Sequence, residues 1–528
     1  MRNQIPRAAR LAEDSDWEAE PVDLSAVGDP LKRFSWLSPR TLWRSRNNLL
    51  VSFSGDPTEL ARAAWVHQQR RLLTDAGAPA AAVEDFTIER PELAAFSFML
   101  MGDTGEGDRS QYSVVPALLA ASTGSEFAVI ASDVVYPAGD VNDYIEKFFV
   151  PYAGYPRPIY AVPGNHDWLD GLAGFMRHFC AADPPTAKFR PPRSRRHAQL
   201  AMALHRVFWR RPRALRPATL ERARELRGAA ESSGPAQPNM YFCIETPHLR
   251  IVAVDVGILG RLDHEQGQWL ARVSAGTKPK LLISGKPAYV GGQKSPRRIL
   301  RPGGGVGRSG TLWSVLTDPA NNYLAMISGD THHYERHAVR LADGRTLQCV
   351  ISGGGGAFMT STHQTPRVAR PEVDENDWVV YPTRGDSLRA YSLSLERRLR
   401  RLMPWRRRRP LIGIPADEAA ALVAERHGLE LADELARGAG SGRAPVAISR
   451  RSRRLAGLIF PRRRWLPFLS VSETLDWDDP PFFKNFMRIE VDAEGVELIA
   501  HGVTGLARDA DAPAVIDRVR IATGAGDE

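Results

Sequence analysis

Cysteine is nearly missing from this 528-residue chain: Cys180, Cys243 and Cys349 stand far apart, and none belongs to a C-x-x-C pair. That excludes a disulfide framework and a zinc knuckle, and it fits a reducing compartment. Long apolar runs are missing too, since no uninterrupted stretch reaches the roughly 18–20 residues of a membrane-spanning helix. The N-terminus, M-R-N-Q-I-P-R-A-A-R-L-A-E-D, lacks the apolar core of a secretory signal. The expectation is a cytoplasmic protein that is not integral to a membrane. Lysine is the last shortage: the formal charge is +9, and nearly all the positive charge is Arg, gathered in a few runs. With 43% hydrophobic and 25% charged residues, the chain has a globular composition and the length for several domains.

What is present is a series of apolar strands that end in polar groups. Residues 94–101 (A-A-F-S-F-M-L-M) run into Gly102-Asp103-Thr104-Gly105. Residues 127–131 end in Ser132-Asp133-Val134-Val135-Tyr136, and residues 159–162 stop at Pro163-Gly164 and deliver Asn165, His166 and Asp167. A helix is expected over 113–121 between the first two, which makes the order that of parallel βαβ units. A hairpin is expected over 239–256, a short helix over 263–270, and strands over 280–284, 323–328 and 347–352. Their exits are Gly285-Lys286-Pro287, Gly329-Asp330-Thr331-His332-His333-Tyr334-Glu335-Arg336, and Gly353 to Gly356. Ligands of open α/β sheets bind outside the carboxyl ends of strands, so these exits define a candidate site.

Together the exits offer Asp103, Asp133, Tyr136, Asn165, His166, Asp330 and His332. Hard carboxylate oxygens with an amide and an imidazole suit a hard or borderline metal ion, not a thiolate site. A carboxylate set between two ions about 3.5–4 Å apart can bridge them for an in-line phosphoryl displacement.

The order G-D-T-G, S-D-V-V-Y, G-N-H-D, G-K-P and G-D-T-H-H-Y-E-R resembles the calcineurin-like metallophosphoesterase superfamily. The D-x-G first motif, the tyrosine three residues after Asp133 and the H-x-Y-E-R ending resemble its purple-acid-phosphatase-like branch. The resemblance spans roughly residues 94–363. It implies an α/β fold, a four-layer α/β/β/α sandwich with an N-terminal extension and basic insertions. It also implies two divalent or mixed-valence metal ions, of Fe, Mn, Zn or Mg, and a phosphoester substrate. By position, Asp103, Tyr136 and His332 would bind the first ion, Asp133 would bridge, and Asn165 would bind the second. His166 stands where the family protonates the leaving group, and Asp167 would orient it.

Two departures alter that picture. The family's histidine after the fifth strand is replaced by Gly285, beside Lys286. An imidazole of the G-H-x-H motif is replaced by Asp330, which can still ligate. His333 or His363 would fill the gap, or Lys286 would bind the substrate phosphate, or the second site would be weak. The alternative function is that of a degenerate member of the fold, acting as a membrane-associated binding or scaffold protein. Gly353 to Gly356 could cradle a phosphate through backbone N–H groups or simply permit a tight loop.

The expected organisation is an accessory N-terminal region (1–92) with a helix over 60–73 and no chemistry. A core (93–365) follows, with an insertion at 183–236 that carries a helix over 198–210. An Arg-rich insertion (366–470) then includes a helix over 415–436, and returning strands (471–510) and a disordered tail (511–528) close the chain. Within the Arg-rich part, 397–409 and 450–468 interleave arginine clusters with Leu, Trp405, Trp465 and Phe468. Such segments suit an anionic membrane surface, and nucleic acid less well, so a peripheral position at the inner membrane surface is expected.

Overall fold

The computed structural model describes residues 34–54, 58–185, 207–227, 237–302, 310–402, 413–430, 447–459, 477–478, 481–505 and 513–523. The chain is an α/β sandwich built on two large mixed sheets. The first contains β2 (Phe96–Met101), β3 (Phe127–Ala131), β4 (Ile159–Val162), β16 (Phe482–Val491), β17 (Gly495–Gly505) and β18 (Ala514–Ala522), in the order β18-β17-β16-β2-β3-β4. The second contains β1 (Thr87–Glu89), β5 (Phe242–Glu245), β6 (Arg250–Val254), β7 (Lys280–Ser284), β10 (Tyr323–Ser328), β11 (Tyr334–Arg340), β12 (Thr346–Ser352) and β15 (Trp378–Tyr381). Its order is β1-β5-β6-β7-β10-β12-β11-β15. Two small hairpins, β8 (Tyr289–Val290) with β9 (Gln293–Lys294) and β13 (Ala369–Arg370) with β14 (Val373–Asp374), lie outside both.

The apolar runs become strands because they are covered on both faces, as parallel strands usually are. Every residue of β2, β3 and β4 is buried. These three are parallel, with Met101 opposite Ile130 and Ala131 opposite Val162, so Asp103, Asp133 and Asn165 leave the sheet at one end. In the second sheet β7, β10 and β12 are parallel, with Ser328 opposite both Ser284 and Ile351. Gly285, Asp330 and Gly353 therefore also emerge together. The sheets meet through rings such as Tyr160 and Phe242, 5.9 Å apart. They also meet at the strand ends, where the Asp330 N–H donates to Asp103 Oδ2 at 2.7 Å. Two sets of parallel strand ends thus converge on one seam.

Several sequence expectations need correction. The N-terminal region is not accessory: β1 pairs in parallel with β5, and helix Thr58–Asp75 sends Arg62 into the core. The Arg62 guanidinium donates to Asp255 Oδ2 (2.7 Å) and Asp263 Oδ2 (2.8 Å). The expected Arg-rich insertion begins inside the core, because β13, β14 and β15 fall within 366–381. The expected tail contains β18, whose period-two alternation suits an edge strand paired on β17. Helix Arg384–Leu402 covers the start of the first basic run and helix Arg450–Ile459 the start of the second. Residues 403–412 and 460–476, and the 198–206 part of the helix expected over 198–210, lie outside the described residues. No described helix is long and apolar enough to cross a membrane.

Candidate metal centre

Asp103 follows β2 in the left-handed region (φ 56°), as do Asp330 (φ 77°) and His332 (φ 47°) after β10. A side-chain-bearing residue pays a steric cost there, and such positions concentrate at functional sites. The strain turns three polar side chains back into the seam.

Asp103, Tyr136 and His332 meet there, all buried. The Tyr136 hydroxyl donates to Asp103 Oδ1 at 3.2 Å and lies 3.1 Å from His332 Nε2. His332 Nε2 in turn lies 3.9 Å from Asp103 Oδ1. The other imidazole nitrogen, Nδ1, sits 3.1 Å from the Phe358 carbonyl, which fixes its proton there and leaves the Nε2 lone pair facing the phenol and carboxylate. Burial pushes His332 down to about 3, so the ring is neutral, the form that ligates. Burial also raises Asp103 well above the carboxylate range, aided by the charges of Asp133 and Asp330. Tyr136 is raised likewise, by burial and then by Asp103 and Asp133. An added cation would oppose each of these upward shifts. The donor set of carboxylate, phenol and neutral imidazole fits one metal ion.

Asp133 lies beside this trio. Its Oδ1 accepts the His166 backbone N–H at 2.7 Å, and a Cβ on Gly164 would stand 2.1 Å from that oxygen, so only glycine allows the approach. Burial raises its pKa, while His166 and Lys286 act against that. The Lys286 charge thus acts on this carboxylate, and the carboxylate in turn acts on Asp103 and Tyr136.

The position expected for a second ion is different. Lys286 Nζ donates to Asn165 Oδ1 at 2.8 Å and forms an ion pair with Asp330 Oδ1. Both residues expected to hold that ion already hold an ammonium. Gly285 offers no donor, and a Cβ there would lie 2.7 Å from the Pro163 carbonyl oxygen. These residues do not fit a second metal ion.

His166 is half-buried, with Nδ1 2.8 Å from the Pro137 carbonyl. Asp167 does not orient it, contrary to expectation. The Asp167 oxygens accept the backbone N–H groups of Val134 (2.9 Å), Gly164 (3.1 Å) and Val135 (3.2 Å), which ties the β3 and β4 exits together. Two further residues differ from expectation. His333 Nε2 faces Glu335 Oε2 at 3.3 Å, and Glu335 also bonds His337 and the Trp378 indole, so His333 belongs to a network behind the site. His363 bonds Ser387 Oγ at 2.9 Å and packs on Tyr391, away from the strand exits. The glycine run is a close-packed loop: Gly353 N–H and Gly355 N–H donate to His333 and Gly102 carbonyls, not toward a ligand.

Two features went unread in the sequence. Trp36, from the supposedly inert N-terminal region, stands edge-on to His166 (5.0 Å) and Tyr136 (5.3 Å), and its indole donates to Glu106 Oε1 at 2.8 Å. Among the described residues, Glu106, Asp108 and Asp478 form a buried trio of carboxylates with oxygens within 4.8 Å of one another. Burial and mutual repulsion raise Glu106 and Asp478, and burial lowers the neighbouring Lys484. Glu106 follows G-D-T-G directly, a signal that was available; Trp36 had none.

No family model matches the chain, and no curated protein does. Among solved structures, it is similar to GAP50, the anchor in the inner membrane complex of Plasmodium (12% identity, 53% of this chain and 77% of that one, TM-score 0.32). It is also similar to the purple acid phosphatase PPD1 from yellow lupin seeds, with 11% identity and TM-score 0.35. That likeness covers 82% of this chain and 55% of the lupin protein. A third is TT1561 of Thermus thermophilus, with 11% identity, 49% and 89% of the two chains and TM-score 0.23. Likenesses this distant say nothing about the chemistry of the site.

Proposed function

We propose that the chain hydrolyses phosphoesters at the seam where the two sets of strand ends meet, with one metal ion held by Asp103, Tyr136 and His332 beside Asp133. The observation that carries this reading is the convergence of a buried carboxylate, phenol and neutral imidazole within 3.9 Å, next to a half-buried histidine. A bound ion would supply a hydroxide at neutral pH and offset charge on the phosphoryl group.

The remaining work falls to the chain. The Pro137 carbonyl accepts a hydrogen bond from His166 Nδ1–H and so aims Nε2 outward. In its imidazolium form that nitrogen carries the proton required by a departing alkoxide or phenoxide oxygen. Trp36 covers one flank of His166 and Tyr136 and keeps water from that side. Asp167 secures the two loops that present His166 and Asp133. Asp133→Asn is expected to abolish turnover of an aryl phosphate and to lower bound metal. Unchanged turnover would remove the assignment.

A second reading, a non-catalytic binding protein, is favoured by one observation: Lys286 already occupies Asn165 and Asp330. Such a protein would bind phosphoesters without turning them over. In either case we infer contact with anionic lipid through the basic helices, since helix Arg450–Ile459 leaves Leu458 77% exposed among arginines.

A further inference from the structure

We propose that Lys286 is a built-in substitute for a second metal ion: the site takes at most one divalent cation, and the lysine ammonium anchors a phosphoryl oxygen of the ligand. The inference rests on the reading of the seam as a phosphoester site.

Placement carries the argument. β7 ends at Ser284, and the turn after it is held by Ser284 Oγ, which donates to the Lys286 carbonyl at 3.1 Å. Gly285 passes so close to Pro163 that a larger residue there would have to move the backbone. The next residue therefore reaches into the seam in its stead. Its ammonium bonds an amide oxygen from the β4 exit and a carboxylate from the β10 exit, 121 and 44 residues away in sequence. Those are the oxygens that would face a second ion, and a divalent cation cannot share them with an ammonium a hydrogen-bond length away.

The lysine is also built for the role. Its side chain is 13% exposed and that of Asp330 21%, so the pair sits at the solvent edge of the seam, where a ligand can arrive. An ammonium has three donors. Asn165 and Asp330 take two, and among the described residues none takes the third. Lysine binds phosphate as a compact point charge. Its charge is half that of a divalent ion, yet it cannot be lost to a chelator. Asp133, whose charge interacts with Lys286 and with Asp103 and Tyr136, is the carboxylate that two cations would share; here one of the two is covalently part of the chain.

The test uses the full chain, loaded with Mn²⁺ or Zn²⁺ and desalted, with bound metal counted by plasma mass spectrometry and inorganic phosphate binding measured by calorimetry. Wild type is expected to retain one equivalent or fewer in the seam. Lys286→Met keeps the length and packing of the side chain without its charge, and is expected to weaken phosphate binding at least tenfold. Lys286→Arg restores most of that binding and shows that the fold survives change at 286. Two equivalents in wild type, one of them lost in Asn165→Ala or Asp330→Asn, would overturn the proposal. Phosphate binding equal in wild type and Lys286→Met would overturn it as well. A protein with one equivalent and lysine-dependent phosphate binding but no turnover would instead contradict hydrolysis alone. Turnover that depends on two seam ions would contradict the lysine alone.

Discussion

The phenol of Tyr136, from the β3 exit, lies 3.1 Å from Nε2 of His332, from the β10 exit in the other sheet, and both turn toward Asp103. Their rings also meet edge-on, with centroids 6.0 Å apart, but a buried phenol and a buried imidazole pointing at a carboxylate cost solvation that only polar partners repay. Removing one donor should therefore be felt in metal binding before it is felt in folding. Tyr136→Phe is expected to weaken metal affinity by at least about tenfold, in line with losses on perturbing ligand shells. The midpoint of metal-free thermal unfolding should hardly move. Competition with a chromogenic chelator measures the first and calorimetry the second.

His166 should matter according to the leaving group. General acid catalysis contributes roughly 10²–10⁴-fold, and most where the departing oxygen is a poor leaving group. His166→Gln is expected to lower kcat strongly for an alkyl phosphate and only weakly for 4-nitrophenyl phosphate. Bound metal should stay unchanged. Equal losses on both substrates would assign His166 to a different task.

Arg62 joins the N-terminal helix to the core by bonding two buried carboxylates, Asp255 and Asp263, at 2.7 and 2.8 Å. Removing one side of such a buried network leaves uncompensated charge and costs about 3–5 kcal/mol. Arg62→Ala should unfold at markedly lower urea concentration, whereas Arg62→Ala with Asp255→Asn should recover part of the loss. The recovery is what separates charge from lost packing.

His363 predicts an acid limb in stability. Its ring is fully buried, and burial, with the charge of His427, pushes its pKa from 6.5 down to about 3. A histidine that is harder to protonate in the folded state contributes its full stability above about pH 6.5. That stability is lost as pH falls toward 3, at roughly 1.4 kcal/mol per pH unit. His363→Gln should flatten the dependence of unfolding free energy on pH across that window. The comparison is made by denaturant titration at several pH values on metal-free protein.

Much of the scaffold was legible because β3, β4, β7 and β10 contain unbroken apolar runs closed by Ser or by Pro-Gly, a pattern that suits a doubly covered strand. β11 was missed for the opposite reason. In Y-E-R-H-A-V-R two of the charged residues are satisfied within the fold, Glu335 by His333, His337 and Trp378, and Arg336 by Asp517, so a largely buried strand carried the composition of a loop. β18 shows alternation in A-V-I-D-R-V-R-I-A, yet its nearness to the terminus hid it. In the site, the residue types that gather at strand ends could be read from the motifs. The partners that decide their roles could not. Asp167 looked like the companion of His166, but its oxygens accept three backbone N–H groups; Lys286 reads as a candidate phosphate binder, but its pairing with Asn165 and Asp330 was not legible. Such contacts depend on how two sheets meet, which local pattern does not encode.

The most direct test of a one-ion phosphoesterase compares wild type with Asp103→Asn. Bound metal and the hydrolysis of an aryl phosphate monoester and an aryl phosphodiester are measured on the same samples, before and after chelation. Wild type should carry a metal ion in the seam and turn over at least one of the two substrates. Chelation should stop that turnover, and Asp103→Asn should lose both metal and activity. Turnover that persists after chelation and in Asp103→Asn, or a wild-type protein that binds metal and hydrolyses neither substrate, would contradict the account.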